Sequence, residues 1–393
     1  MKLCFWIATI ASYGGVQRVT SVVANALAKH HEVTIVTMDP KEKINNIPYY
    51  LNSDIQIIAM PGALFNRPLW YRIFTHINRK TGLLNHSLTA DLLKWATIPK
   101  DTKKNLLDFF QAIQPDVLVG VAFTPSLWLT LIADQLDAKT CIWQHNSFDA
   151  YFHTPHQYLW HQQALYRANV HSIDSYVVLN QTTKQKVDQA FDLNSIVIHN
   201  PKSFQTITKS NMKNTTFLVA GRLEAVKGID TLIRAFSIFA CQNKDWNCLI
   251  VGDGSQKENL IQQVKNAHLE GRISFHPFTD HIQSYFEKAS VFLLPSRREG
   301  MPLVVLEALE FGCPVIAFAI EAMKGLIEDG KEGLIVSSIQ NEKAFAKAML
   351  EISQDEKLRW QFHQNAMKKA QEFDIDVICA KWEELFATLT TKK

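Results

Sequence analysis

The sequence predicts an α/β protein with two doubly wound domains that face each other across a cleft. The chain has 393 residues, which favours two domains over one at about 150 residues per domain. Short continuous apolar runs alternate with helical periodicity, a pattern typical of parallel sheets covered by helices on both faces. A polar stretch at 199–214, which contains Asn200 and Pro201, separates these runs into two series.

The first series predicts a domain over residues 1–199 and the second a domain over 200–373. First-series strands are expected at 3–7, 33–37, 55–59, 117–121, 140–143, 176–179 and 196–198. Second-series strands are expected at 217–220, 248–251, 273–276, 291–294, 315–318 and 333–336. Apolar residues share one face of a final helix over 374–389, and we expect the segment 374–393 to pack back on the first domain.

Composition excludes several classes of protein. The formal net charge of +3 is too small for binding nucleic acid through bulk charge alone. Six scattered cysteines, none in a Cys-x-x-Cys pair, favour neither a disulfide scaffold nor a structural zinc site. The start does not resemble a secretory signal, and the longest stretch without a charge, 117–133, predicts a buried strand followed by a helix. We therefore expect a cytoplasmic protein.

Doubly wound sheets bind ligands at the carboxyl ends of their strands, so the loops after strands are informative. In the first such loop, Gly14 and Gly15 open a helix, where the helix amides and dipole favour an anion. The alternative is a turn that only needs a positive φ angle. In the loop after 217–220, Arg222 and Lys227 sit among glycines, and two converging cations would suit a diphosphate. The alternative is two solvated loop cations.

The most informative segment is 295–308. It begins at a strand end, turns at Glu299 and Gly300, and enters a helix near Pro302, with Glu307 about two turns along. Free amides at 300–303 would point at an anion, while the two carboxylates would accept hydrogen bonds from sugar hydroxyls. The alternatives are an acid favoured beside a helix amino end for Glu299 and an exposed helix glutamate for Glu307.

The run from Gly221 through Gly228, then 252–254, then Pro295-Ser296 with Glu299-Gly300 and Glu307, resembles the retaining glycosyltransferases of family 4. The resemblance covers about 217–336 and extends more loosely to 14–19 and 143–146. It implies the GT-B fold of two Rossmann-like domains. It also implies transfer of a hexose or N-acetylhexosamine from a nucleotide-diphosphate sugar, expected to be a UDP-sugar, to a glycan acceptor, expected to be lipid-linked.

The resemblance also implies residue roles. Arg222 and Lys227 would bind the donor diphosphate, Glu299 the transferred sugar and Glu307 the ribose. His145 matches a histidine often found near the transferred sugar, although a structural histidine is an equal alternative. The remaining residues implied in donor binding are Gly15, Gly252, Gly300, Met301, Pro302 and Leu303.

Two positions depart from the family pattern. Gln17 stands where relatives often carry Glu, and Gly325 stands where many have Glu, so acceptor choice is the property in doubt. Retention in the family is thought to follow front-face attack, which spacing alone does not establish. Since no Asp-x-Asp sequence occurs and cations can compensate the diphosphate charge, neither a metal nor another cofactor is expected.

The segment 65–104 predicts a membrane contact. It has a local charge of +6 with Trp70, Tyr71, Phe74 and Trp95 interleaved, as a helix lying on an anionic membrane requires. The alternative is a solvated helical face with its aromatic residues in the core. Other functions left open are a GT-B nucleotide-sugar epimerase, a phosphorylase and a non-catalytic sugar-binding subunit. A dinucleotide oxidoreductase is disfavoured because no Gly-x-Gly-x-x-Gly turn follows the first strand.

Overall fold

Parallel strands form the core of the chain in two separate sheets. The computed structural model describes residues 1–65 and 68–391. One unit contains Met1–Pro201 and the segment that begins at Ile375, and the other contains Lys202–Asp374. Every predicted strand is present, with its ends shifted by at most one residue, and the prediction of two doubly wound parallel sheets is confirmed.

The sheet of the first unit has the order β3-β2-β1-β4-β5-β6-β7. Its strands are β1 (Lys2–Ile7), β2 (Glu32–Thr37), β3 (Gln56–Ala59), β4 (Val117–Val121), β5 (Lys139–Trp143), β6 (Ser175–Val178) and β7 (Ile196–Val197). The helices are α1 (Gly15–Leu27), α2 (Lys41–Ile44), α3 (Leu69–Thr81), α4 (Ala90–Thr97), α5 (Lys100–Ile113), α6 (Phe123–Ile132), α7 (Phe148–Phe152), α8 (Gln163–Asn169) and α9 (Gln181–Phe191). The strand and helix predicted within 117–133 are therefore β4 and α6.

The sheet of the second unit has the order β10-β9-β8-β11-β12-β13. Its strands are β8 (Thr216–Ala220), β9 (Asn247–Val251), β10 (Ile273–His276), β11 (Val291–Leu294), β12 (Val315–Phe318) and β13 (Gly333–Val336). The helices are α10 (Ile229–Ala240), α11 (Lys257–Asn266), α12 (Gln283–Lys288), α13 (Leu303–Glu310), α14 (Glu342–Gln354) and α15 (Glu356–Ala370). Strand order reverses between β1 and β4 in one sheet and between β8 and β11 in the other, which is where such sheets bind ligands.

The last helix, α16 (Ile375–Thr391), belongs to the first unit. Its Trp382 is fully buried, and its ring centroid lies 4.8 Å from that of Trp143 at the end of β5. Burying two indoles against each other removes a large apolar area from water, which fixes this helix on the unit formed by the amino-terminal half.

The linker-like composition at 199–214 does not produce a free linker. Lys202 is buried and pairs with Glu310 on α13 and with Asp374. The backbone amide of Ser210 donates to the Phe311 carbonyl at 2.9 Å. Carboxylates of the second unit partner Lys202 and Lys209, so the segment packs along that unit.

Candidate functional site

The loop after β8 and the loop after β11 pack against each other through a glycine. Gly228 has φ 67°, a left-handed conformation that favours glycine, and it precedes α10. A Cβ atom added there would lie 2.1 Å from the carbonyl oxygen of Pro295. Any larger residue would therefore push apart the loops 221–228 and 295–302, which carry most of the predicted donor residues.

Two predicted site residues from these loops form an ion pair. The Lys227 Nζ lies 2.7 Å from the Glu299 Oε1, and both side chains are largely shielded from water. The Ser296 hydroxyl donates to the same Glu299 oxygen at 2.7 Å. An anion that approached Lys227 would share or replace Glu299 as its partner, so the pair holds the ammonium in place for a ligand.

Arg222 lies on the same loop but is exposed. Within residues 1–65 and 68–391, it makes no hydrogen bond or ion pair with Lys227 or Glu299. Hydrogen bonds from Ser255, assisted by the Arg222 charge, hold the pKa of Glu224 below its usual range. The structure therefore brings Lys227 and Glu299 together, whereas Arg222 remains exposed and apart from this pair.

An ion pair that the sequence analysis missed joins the same two loops. The Arg297 guanidinium lies 2.7 Å from Asp230 in the first turn of α10, and the Arg297 amide donates to the Val226 carbonyl at 2.8 Å. Burial opposes charge on Asp230, but the Arg297 hydrogen bonds outweigh it and keep the pKa of that carboxyl below its usual value. Arg297 stands beside Glu299 in sequence, yet no spacing rule distinguishes a loop-pinning arginine from a ligand-binding one.

The helix after β11 begins at Leu303, with Pro302 as its N-cap residue. A helix start near Pro302 was expected, and Pro302 itself, with an extended ψ of 111°, precedes the first helical residue. Met301, Pro302 and Leu303 are buried, and Gly300 is partly exposed. Residues 300–302 thus connect Glu299 to α13, and the predicted role of Gly300, Met301, Pro302 and Leu303 in donor binding stays a prediction.

Glu307 on α13 is buried, with 1% of its surface exposed, so the alternative of an exposed helix glutamate is wrong. Its Oε1 accepts a hydrogen bond from the Ser203 hydroxyl at 2.9 Å. One turn later, Glu310 accepts from Lys209 at 2.6 Å and from the Thr206 amide at 2.9 Å, besides its pair with Lys202. Segment 202–209 thus supplies hydrogen-bond or ion-pair partners to both carboxylates of α13, which the sequence did not indicate.

Gly252, which follows β9, has a backbone reason to be glycine. Its φ of 152° lies in the left-handed half of the map, and an added Cβ would lie 1.9 Å from the Gly221 carbonyl oxygen. The loops after β8 and β9 therefore touch through backbone. This contact explains the glycine without a ligand, and the predicted role of Gly252 in donor binding stays a prediction.

In the first unit, α1 begins at Gly15 and Gly14 is its N-cap residue. The φ of Gly14 is 173°, so the alternative of a turn that needs positive φ is wrong at this position. The Gly14 amide donates to the Tyr49 hydroxyl at 3.1 Å, and a Cβ there would lie 2.3 Å from Gln17 Oε1. Gly14 therefore allows a close approach between the loop after β1 and the first turn of α1.

Asp39, another residue that the sequence analysis missed, fixes that loop. Its carboxylate accepts hydrogen bonds from the amides of Ile10 at 2.7 Å and Ala11 at 3.0 Å and from the Thr37 hydroxyl at 2.8 Å. Burial would raise the pKa of Asp39, but these hydrogen bonds lower it overall. Its only sequence signal is its position two residues after β2.

His145 follows β5 and is buried against Trp143, with ring centroids 4.3 Å apart. Burial lowers the pKa of His145 to about 3, so its imidazole is neutral at ordinary pH. Among the described residues its Nε2 has no hydrogen-bond partner. A buried ring nitrogen without a partner is costly, and the predicted role of His145 near the transferred sugar stays a prediction.

The predicted membrane segment contains an exposed apolar surface on α3 and α4, which we call the α3 face. Arg67 and the side chain of Phe65 lie outside the described residues. The alternative that the aromatic residues of this segment lie in the core is wrong for Trp70, Phe74 and Trp95, which are about 40% exposed, and right for Tyr71. The face comprises Leu69, Trp70, Ile73, Phe74, Ile77, Leu92 and Trp95.

A pocket of about 610 Å³ adjoins the loops of the second unit. It is lined by Glu224, Ala225, Val226, Ile229, Asp230, Gln256, Leu260, Arg297 and Arg298. Neither the Lys227–Glu299 pair nor Glu307 lines it, so it is separate from the predicted donor residues. No described group of three His, Cys, Asp or Glu side chains is arranged to hold a metal ion. In the described part of the chain, no helix has the length and apolarity needed to cross a membrane.

Two protein families match the chain in succession. Residues 13–201 match Glycosyltransferase Family 4, and residues 202–369 match Glycosyl transferases group 1. This chain is a GT-B glycosyltransferase of group 1. It is therefore a transferase, as the sequence motifs predict, and the resemblance is confirmed.

Full-length relatives agree with this assignment. The glycosyltransferase is 28% identical to an uncharacterised glycosyltransferase of Haemophilus influenzae over 97% of this chain and 99% of that protein. It is 26% identical to the GalNAc-α-(1→4)-GalNAc-α-(1→3)-diNAcBac-PP-undecaprenol α-1,4-N-acetyl-D-galactosaminyltransferase of Campylobacter jejuni over 98% of each chain.

Solved structures share the fold at low identity. Sucrose-phosphate synthase of Thermosynechococcus elongatus superposes on the glycosyltransferase with a TM-score of 0.77, 17% identity and full coverage of both chains. The pneumococcal O-GlcNAc transferase in complex with UDP and GlcNAc gives a TM-score of 0.73 at 15% identity, covering 100% of this chain and 99% of that one.

Proposed function

We propose that this glycosyltransferase moves a hexose or N-acetylhexosamine from a UDP-sugar to a lipid-linked glycan, with retention of the anomeric configuration. The observation that carries the donor half is the Lys227–Glu299 pair, held between two loops at the carboxyl edge of the second sheet. An ammonium fixed there can neutralise the charge that grows on a departing diphosphate. The Glu299 carboxylate, already oriented by Ser296, can accept hydrogen bonds from sugar hydroxyls.

Two further observations support the proposed donor base and ribose contact. The pneumococcal relative in fold holds UDP, which supports uridine as the base. Glu307 is buried and keeps one oxygen on Ser203, a geometry in which a carboxylate is oriented rather than freely rotating. Because a lysine provides the charge compensation, we propose that transfer needs no metal or other cofactor and continues in the presence of a chelator.

The lipid-linked acceptor is supported by the shape of α3. At 100° per residue its surface divides into three sectors. The inward sector contains the buried Tyr71 and Asn78 and the half-buried Thr75. The exposed apolar sector contains Leu69, Trp70, Ile73, Phe74 and Ile77, and the basic sector contains Arg72, His76, Arg79 and Lys80. A surface helix normally buries its apolar side, whereas α3 buries a polar one and exposes the other.

Charge supports an anionic bilayer as the partner of the α3 face. The basic sector flanks the apolar sector, which is how a helix lies at the boundary of headgroups and acyl chains. Trp70 and Trp95 pack at 4.6 Å between ring centroids, and aromatic rings favour that depth. The Campylobacter relative, whose name specifies an undecaprenol-linked substrate, supports the same acceptor class. We place the enzyme in the cytoplasm, peripheral on the cytoplasmic membrane face.

The experiment is a donor screen with a bacterial membrane-lipid extract as the acceptor source. UDP-glucose, UDP-galactose and their two N-acetylated counterparts are compared with GDP-mannose, and free nucleoside diphosphate is measured with and without a chelator. We expect extract-dependent release of UDP from one of the four UDP-sugars, and an α-linked product by NMR. Release from GDP-mannose alone, a β-linked product from an α-linked donor, or loss of activity with chelator would each contradict one part of the proposal.

A further inference from the structure

The turn after β4 carries a backbone conformation that alanine rarely adopts. Ala122 has φ 61° and ψ −152°, in a region populated almost entirely by glycine, at a cost of about 1–3 kcal/mol. Its amide donates to the Trp143 carbonyl at 3.0 Å, and its own carbonyl accepts from the Ser126 amide at 3.2 Å. These bonds hold Ala122 in place at the point where the strand order of the first sheet reverses.

The turn positions an aromatic pair. Phe123, the next residue, stacks on Tyr158 with ring centroids 3.9 Å apart and planes 18° apart, and both rings are partly exposed. Tyr158 has φ 45°, and His156 and His161 in the same segment have φ values of 60° and 58°. Since non-glycine residues seldom adopt positive φ, the segment is held in a specific shape rather than relaxed.

The stacked pair is connected through Tyr151 to the backbone of His145. The Tyr151 ring lies 4.5 Å from that of Phe123, and the Tyr151 hydroxyl accepts a hydrogen bond from the His145 amide at 3.3 Å. The buried His145 Nε2 is without a partner among the described residues. An apolar platform with one or two polar groups near it is the usual composition of a small-molecule site.

The segment that contains Tyr158 is also hydrogen-bonded to α3, the helix that carries most of the α3 face. Asn78 on α3 donates to the His161 carbonyl at 2.7 Å, and Arg79 donates to the His156 carbonyl at 3.2 Å. The segment that presents Tyr158 is thus bonded to the helix proposed to lie on the membrane. A glycan that emerges from a membrane lipid would pass this segment, whereas the donor residues belong to the other unit.

We infer that Phe123 and Tyr158 form a stacking subsite for a saccharide ring of the acceptor. The apolar C–H face of a pyranose covers an aromatic ring while its hydroxyls remain at the edge for polar partners. The inference rests on the proposed function only in assigning the ring to the acceptor. It makes Phe123 and Tyr158 residues that determine acceptor specificity.

The test is saturation-transfer NMR with two probes, methyl α-N-acetylgalactosaminide and methyl α-glucoside, on the full chain with UDP saturating the donor site. We expect transfer from protein to at least one probe, reduced at least fivefold by Phe123→Leu and by Tyr158→Leu and restored by Phe123→Tyr. Leucine keeps apolar volume, so the fold should be retained. Phe109→Leu is the matched control, because Phe109 is another partly buried ring packed on the same core.

Calorimetry of UDP binding separates a failure of the stacking subsite from a failure of the proposed donor site. If UDP binds and neither probe shows saturation transfer, or if Phe123→Leu transfers as well as the wild type, the stacking subsite is wrong and the donor proposal stands. If UDP does not bind, the donor proposal fails whatever the probes do. A loss equal to that of Phe123→Leu in the Phe109→Leu control would assign the effect to core packing and overturn the inference.

Discussion

The loops 221–228 and 295–302, which carry most of the predicted donor residues and are called the donor loops below, and the α3 face use their side chains in opposite ways. In the donor loops Lys227 pairs with Glu299 and Arg297 pairs with Asp230, although Arg222 is exposed, and glycines let backbone touch backbone. On the α3 face, seven large apolar side chains are exposed in residues 69–95. A patch of that kind is typical of an interaction surface.

The difference separates two kinds of binding. The donor loops are organised before a ligand arrives, so a ligand gains from charges that are already oriented and few side chains must be ordered. The α3 face gains from removing apolar area from water, and it requires a partner that is itself apolar. Variants that remove one charge should therefore act on turnover, and variants that remove apolar rings should act on membrane attachment.

The largest expected effect is that of Lys227→Ala on turnover. Because Lys227 would compensate the charge that develops on the leaving diphosphate, we expect kcat to fall by about two orders of magnitude or more. Steady-state release of UDP measures it. Lys257→Ala is the control, since Lys257 forms an ion pair with Asp253 at 3.1 Å in the neighbouring loop and should have little effect. Equal activity of the Lys227 and Lys257 variants would contradict the role.

The second prediction concerns the α3 face. Trp70→Ser with Phe74→Ser should weaken attachment to vesicles about 30-fold, at roughly 1 kcal/mol for each half-exposed ring. Arg72→Gln with Lys80→Gln should weaken attachment to anionic vesicles about as much and should not change attachment to neutral ones, because each charge near the surface contributes about 1 kcal/mol. Co-sedimentation with neutral and anionic vesicles separates the two.

The choice of charges follows from their contacts. Arg79, Lys94 and Lys103 are engaged with His156, Asn169 and Asp134 respectively, so changing them would alter the fold as well as the field. Arg72 and Lys80 are exposed on the basic sector. If both double variants pellet like the wild type, the α3 face contacts something other than a membrane, and a concentration-dependent change in mass would identify a second copy of the chain.

The third prediction is a pH dependence that belongs to His145. Its pKa is about 3 when buried and about 6.5 in the unfolded chain, so between these values the unfolded state binds a proton that the folded state does not. Stability should therefore fall as pH drops below about 6.5, by about 2 kcal/mol at pH 5 relative to pH 7. His145→Gln should remove that difference in urea unfolding.

Histidine NMR tests the same prediction directly. In histidine-ring NMR, the His145 signals should not shift between pH 8 and pH 5. Burial also lowers the pKa of His31 and of His363, but those contributions are common to the wild type and the variant. An unfolding free energy with the same pH slope in both proteins, or a His145 titration near pH 6.5, would show that the imidazole is solvated.

The sequence predicted those features that depend on local patterning. The continuous apolar runs located the strands of both sheets, because a strand buried on both faces must be apolar throughout. The loops after β8 and β11 were located by their glycines and charges. Partners distant in sequence were not predictable: nothing local pairs Lys202 with Glu310 or Asp39 with the Ile10 amide, and these contacts exist only once the sheets have formed.

The sequence also does not predict which side of α3 packs inward. Aromatic and basic residues interleaved in 65–104 indicated an amphipathic segment, but their order does not reveal which side packs inward. That Tyr71 and Asn78 are buried while Trp70 and Phe74 are exposed depends on the residues that α3 meets. Asn78 meets the His161 carbonyl, so a polar residue takes the inward position.

The smallest expected effect sharpens the comparison within the donor loops. Ser203 donates to Glu307 Oε1 at 2.9 Å and makes no other hydrogen bond to a predicted donor residue within 1–65 and 68–391, so it is a positioning residue. Ser203→Ala should weaken UDP binding about fivefold, since a hydrogen bond to a charged group is worth roughly 1.5–3 kcal/mol and part of that is recovered by solvent. UDP and UDP-sugar should lose the same factor if Glu307 contacts the ribose as proposed, and kcat should change little. Ser203→Thr keeps the hydroxyl and should retain the wild-type affinity.

Calorimetry with UDP and with UDP-sugar tests the contact of Glu307. A loss of affinity confined to UDP-sugar would assign Glu307 to the transferred sugar instead of the ribose. No loss for either ligand would mean that α13 orients Glu307 without Ser203.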